Sequence, residues 1–266
     1  MSASLYYVGG GMFSPYLEQK NKNRRKLMYI GLVLAVLCVV GALASGFGYQ
    51  AGFWHFRTGF QILKWSFFLS VATLIFILGS FFFLKAKTPM DWGTGLIGLV
   101  ICLVMIYVPY SWKRTLDAHP YIHDISTDLN NPPEFVAASS LRGPDDHPVE
   151  YDGPEVAEQQ RTAYPDINTL TISGSKEETM NVVEGVIKDQ GMEVVDTNAQ
   201  EGRIEAVATS GLYGFKDDVV VRILESENGQ SMIDIRSKSR VGKSDLGQNA
   251  KRIRKIVVGV IEAFER

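Results

Sequence analysis

Residues 233–240 read Ile-Asp-Ile-Arg-Ser-Lys-Ser-Arg, so a strand here sets Asp234, Arg236, Lys238 and Arg240 on one face. Arg222 is out of phase with Val219, Val221 and Ile223 and joins that face from the preceding strand. Downstream, Lys243, Asp245 and the glycines of residues 241–247 lead into a helix that starts near Asn249 and carries Lys251, Arg252, Arg254 and Lys255. Residues 236–255 hold eight basic side chains and one acidic one, whereas residues 117–205 hold 5 basic and 19 acidic. A helix N-terminus beside cationic side chains can bind an anionic small molecule or a lipid headgroup. The competing reading is that the basic strand and helix pair with the acidic segment.

Other chemistry is sparse. His119, His123, Asp124 and Asp128 make an H-x3-H-D-x3-D run with ligand-type side chains. Pro120 interrupts it, and turn or capping roles suit the aspartates, so no metal and no cofactor is expected. Ser173 to Lys176 matches S-x-x-K but sits at a helix cap. The Gly-Lys-Ser at 242–244 lacks the upstream glycine of a nucleotide loop. All four histidines precede the last 119 residues, and no Ser-His-Asp set assembles. An enzyme reading, hydrolase-like, would use His123 with Asp124 or Asp128 as acid and base.

Three apolar stretches organise the chain: residues 27–49, 62–84 and 92–110. Each is long enough to cross a bilayer, which needs ~20 apolar residues. No Asp, Glu, His or Arg lies inside them, which argues against an ion path. Gly41, Ser45, Gly95 and Gly98 are small enough to let the three helices pack closely. Counting Lys and Arg at the span ends gives seven on the N-terminal side and four on the other. The N-terminus is therefore expected inside and everything after Tyr110 outside. Residues 1–116 carry a net charge of +9 and residues 117–266 one of −11, so the outer part is not a nucleic-acid binder by default. Both cysteines, Cys38 and Cys102, lie in spans, which leaves the outer part without disulfides.

The expected organisation is a cytoplasmic basic tail over 1–26, three transmembrane helices within 27–114, an irregular wrapping segment over 115–166 and a periplasmic α+β domain over 167–266. Ile122, Ile125, Phe135 and Tyr164 are the apolar anchors of the wrapping segment. In the last part, a strand near residue 168 precedes a helix capped by Ser175, with Met180, Val183, Val186, Ile187 and Gln190 on one face. Three further strands and the 233–240 strand follow, one hairpin turning at Glu227-Asn228-Gly229. The closing helix, residues 247–266, turns Ala250, Ile253, Val257, Val260, Ile261 and Phe264 inward. The order β-α-β-β-β-β-α predicts an antiparallel sheet with helices on one face.

Several motifs occur in order: His123-Asp124-Ile125-Ser126-Thr127-Asp128 with Pro132-Pro133-Glu134-Phe135, then Tyr164-Pro165-Asp166, then residues 237–247 and Asn249-Ala250-Lys251-Arg252-Ile253. Over about residues 119–266 the chain resembles the family called domain of unknown function 1499 (DUF1499), and the membrane half resembles its longer bacterial members. The resemblance implies a membrane-associated bacterial envelope protein and no reaction. The candidate ligand-binding set is His123, Asp124, Thr127, Asp128, Arg222, Arg236, Arg240, Lys243, Asp245, Asn249 and Arg252. The expectation is binding or scaffolding at the inner membrane, with the lipid bilayer, an anionic group and an envelope protein as partners. Asp124 or Asp128 is expected to approach Arg236, Arg240 or Arg252.

Overall fold

The structure, a computed structural model, describes residues 6–8, 11–13, 15–84, 89–226 and 228–265. Lys85 and Lys87, two of the topology-setting cations, and Glu227 of the hairpin lie outside the described residues. The chain forms two compact units, Met1–Ser111 and Trp112–Arg266.

In the first unit, β1 (Tyr6–Val8) pairs antiparallel with β2 (Gly11–Phe13), and α1 (Pro15–Gln50), α2 (Phe56–Leu84) and most of α3 (Pro89–Ala118) follow. The basic run 20–26 is thus helical and continuous with the first apolar stretch. Three stretches, Arg25–Gln50, Phe56–Phe82 and Pro89–Ala118, are long and apolar enough to cross a bilayer. Their outward side chains suit lipid: Val33, Phe47, Phe82 and Leu103 are exposed. Glycines allow the close approach of helices that lipid does not force together by itself. A Cβ at Gly41 would collide with Ser66, one at Gly95 with Phe81, and one at Gly98 with Ile77.

The second unit is α+β. Its elements are β3 (Asp124–Ser126), α4 (Ala137–Leu141), α5 (Pro154–Ala163), β4 (Leu170–Ile172), α6 (Lys176–Asp189), β5 (Glu193–Asn198), β6 (Arg203–Thr209), β7 (Lys216–Glu225), β8 (Ser231–Ser239) and α7 (Gln248–Phe264). The sheet is antiparallel with strand order β3-β8-β7-β6-β5, and β4 pairs with β8 beside β3. Alternation decides its first face. Ile204, Ala206, Val219, Val221, Ile223, Ile233 and Ile235 meet Met180, Val183 and Ile187 of α6 and Ala250, Ile253, Ile256 and Val260 of α7 in one core. Ile256, absent from the expected inward set, is fully buried, while Ile261 is only half-buried. Ser175 Oγ accepts the Glu178 amide and caps α6.

In the 115–166 segment Ile122, Ile125, Phe135 and Tyr164 are buried. It is also more regular than its sequence suggests, since β3, α4 and α5 lie within it. The three residues of β3 and five of α4 are too few to show a period, and α5 buries only Ala157 and Gln160, too few to mark an apolar face. Gln160 of α5 is buried and mimics a strand at the sheet edge: its Oε1 accepts the Ser126 amide at 3.0 Å and its Nε2 donates to the Ser126 carbonyl at 2.6 Å. Those backbone groups would otherwise be stranded.

Candidate functional site

Register builds the second sheet face. In the β7–β8 ladder Asp218 is opposite Lys238, Val220 opposite Arg236 and Arg222 opposite Asp234. Asp124 of β3 faces Lys238, and Glu205 of β6 faces Val220. Charged side chains therefore form a continuous layer, covered by Phe135, Ala138 and Val149 of the 115–166 segment.

At its centre Arg236 donates to both Asp124 carboxylate oxygens, at 2.9 and 2.8 Å, and both side chains are at most 2% exposed. This two-pronged pair is among the strongest hydrogen-bonded arrangements available to a carboxylate. Two further guanidinium N–H groups donate to the carbonyls of Pro133 and Val149. Phe135 and Tyr151 flank the cation at 4.8 and 5.3 Å. Burial pushes the Tyr151 phenol up to about 12, with the Asp124 charge adding to the rise. Lys238, fully buried, lies 3.3 Å from Asp124 and 2.7 Å from Asp152.

Arg240 reaches not Asp124 or Asp128 but Asp218, with contacts of 3.1 and 2.7 Å, and Arg142 binds the same carboxylate at 2.8 Å. Asp128 is 3.0 Å from Arg222, which also holds Asp234 at 2.8 Å. Burial opposes ionisation of Asp128, yet the amides of Asn131 and Asn130 and the Arg222 cation hold its carboxyl below the usual range. Thr127 Oγ1 bridges the layer, donating to Asp234 and accepting the Ile235 amide. Glu205, fully buried, accepts the amides of Val136, Ala137 and Ala138 and so caps the start of α4. Arg222 and Arg203 also line a cleft of about 260 Å³ bounded by residues 131–134.

His123 stands at the border of this layer. Its Nε2 is 3.3 Å from Asp152, and its ring stacks on His147 at 4.1 Å. Burial holds the His123 imidazole below its ordinary pKa; His147 and Lys238 act in the same direction, while Asp152 and Asp124 oppose them. His119 belongs elsewhere, with its Nδ1 2.7 Å from the Thr115 carbonyl. No cluster of three or more His, Cys, Asp or Glu side chains that could hold a metal is found among the described residues.

The turn before α7 forms a second, separate cluster. The Asp245 carboxylate accepts the Gly247 amide at 2.8 Å and the Asn249 amide at 2.7 Å, so the helix N-terminus expected to receive an outside anion is occupied by the chain's own. Burial raises the Asp245 carboxyl, against those two amides. Asn249 Oδ1 accepts from Ser237, and its Nδ2 donates to the His123 carbonyl. Arg252 donates to Ser237 Oγ at 2.8 Å and to Asp217 at 2.6 Å. Lys243 is exposed and joins neither cluster. Next to Arg252 lies an open polar groove of about 780 Å³, bounded by residues 189–192, 208–211 and Asp217, with Gln248, Lys251 and Lys255.

The structure thus brings Asp124, Thr127, Asp128, Arg222, Arg236 and Arg240 into one layer, places His123 at its edge, and sets Asp245, Asn249 and Arg252 apart. The further charged residues of the layer and its border, Arg142, Asp152, Glu205 and Asp218, are not among those read from the sequence. Asp218 carried a usable signal, being in phase with Arg222. Arg142 and Asp152, in a segment without period, carried none.

The family model described as "Protein of unknown function (DUF1499)" matches residues 124–259, from the start of β3 into the last helix. No curated protein matches the chain.

Proposed function

This chain belongs to the DUF1499 family, and on that premise we propose that it is a bacterial inner-membrane protein whose outer domain binds a ligand or scaffolds a partner at the envelope. In this reading the N-terminus is cytoplasmic and the α+β domain periplasmic, as the basic residues at the span ends favour. One observation carries the choice of binding over catalysis. Every carboxylate that could serve as acid or base beside His123 is already engaged: Asp124 by Arg236 and Lys238, Asp128 by Arg222, and Asp152 by Lys238. A catalytic carboxylate needs a substrate within hydrogen-bond reach, and Asp124 has no exposed surface to offer one. The groove at the start of α7 is open and polar instead, which suits recognition.

The test is photo-crosslinking of the full chain in its native membrane, with a photoreactive residue in place of exposed Gln248. A discrete adduct at that position, absent from a control probe at exposed Asn228, is expected. Equal labelling at both positions would overturn the binding reading of this groove.

A further inference from the structure

We infer that the groove at the start of α7 receives a phosphate-class anion, held chiefly by Lys251 and Lys255; this rests on the binding role proposed above. The domain pairs most of its cations. Arg222, Arg236, Lys238, Arg240, Arg252 and Arg254 each face a carboxylate within 3.0 Å. Lys176, Lys216, Lys243, Lys251 and Lys255 depart from that pattern, and of these only Lys251 and Lys255 line the groove. Both are exposed, they stand one turn apart on α7, and neither meets an acidic partner among the described residues. Like charges four residues apart weaken a helix, so folding gives no reason for the pair, whereas a dianion would neutralise both.

The surroundings fit. Arg252 lines the same groove, fixed by Asp217 and Ser237, and Gln248 and Gln190 add neutral amide groups. Asp189 is the one acid there without an ion-pair partner among the described residues; it belongs to the α6 wall, which favours placing the anion against α7. The amides of Gly247, Gln248 and Asn249 are not the binding groups, because Asp245 already accepts from all three. The shared chemistry is a phosphate, whether free or in a lipid headgroup.

Lysine footprinting of the full chain separates these sources. The chain is reconstituted in discs of zwitterionic lipid, acetylated briefly, and each lysine is quantified by mass spectrometry. An ion-paired ammonium has a raised pKa and reacts more slowly. Adding inorganic phosphate, against chloride at equal ionic strength, is expected to slow Lys251 and Lys255 severalfold relative to exposed Lys216 and Lys243, which lie outside the groove. Protection by phosphate identifies a free anion. Protection only in discs containing phosphatidylglycerol identifies a headgroup. Unchanged rates in both arms overturn the inference. The Gln248→Glu variant puts a carboxylate into the groove while suiting a helix N-terminus, and it should abolish protection; protection that persists also overturns the placement. A crosslinked adduct at position 248 without lysine protection would retire the anion and leave the binding role standing. Absence of both would retire the two together.

Discussion

The Asp124–Arg236 pair gives the sharpest test of the buried layer. Asp124→Ala removes both carboxylate contacts of a guanidinium that is 2% exposed and leaves Lys238 with one carboxylate fewer. Breaking a buried pair on one side costs about 3–5 kcal/mol, because the abandoned charge stays desolvated. The carbonyls of Pro133 and Val149 and the two aromatic rings still receive Arg236, so the lower half of that range is expected. For a domain of this size about 3 kcal/mol lowers Tm by roughly 6–12 °C. Arg236→Ala strands Asp124 instead and should cost a similar amount. The double variant leaves neither charge without its partner, so the two losses should fall short of adding by about 1–3 kcal/mol. Pulse proteolysis of the detergent-solubilised full chain in urea reads each value. Asp128→Ala with Arg240→Ala is the internal control. The sequence suggested that these two meet, but Asp128 binds Arg222 and Arg240 binds Asp218 without a shared partner. Their losses should add to within about 0.5 kcal/mol. Additive losses for Asp124 and Arg236, or coupled losses in the control, would refute the pairing scheme.

Other outcomes follow from the same geometry. Since burial depresses the His123 pKa, the imidazole folds neutral more readily than charged; its stabilising effect is complete above the unfolded value near 6.5 and fades as pH falls through the lower folded value. His123→Gln should flatten that acid-side loss in a urea-midpoint series across pH, and an unchanged slope would contradict it. Gln160→Leu strands the Ser126 amide and carbonyl, with an expected cost of about 2–4 kcal/mol, whereas Gln159→Leu on the exposed side of α5 should change the urea midpoint little. Residues 117–266 produced without the spans should be soluble, and a circular dichroism spectrum dominated by helix would count against the sheet. Reporter fusions after Lys87 should behave as cytoplasmic and those after Arg114 as periplasmic; an active cytoplasmic reporter after Arg266 would invert the proposed topology.

Local periodicity was enough to read much of this protein. A bilayer imposes a length and an apolar composition on each crossing, so three long helices were visible as three apolar runs. Alternation at period two gave the strands and put Asp234, Arg236, Lys238 and Arg240 on one face, because side-chain direction in a strand depends only on parity. The spacing of Met180, Val183 and Ile187, and of Ala250, Ile253 and Val260, named the helix faces that close the core. Tertiary structure decided which charges meet. Asp124 and Arg236 are separated by 112 residues, and only the β3–β8 register brings them together; a slip of one residue would have turned every charge on β8 into the apolar core. The same holds for Asp218, which claims Arg240 because β7 lies next to β8, and for Asp245, whose turn geometry caps α7 and closes the helix end that composition alone had offered to a ligand. Charge balance between segments shows that pairing will occur, but partner choice is a matter of register and burial, which local sequence does not carry.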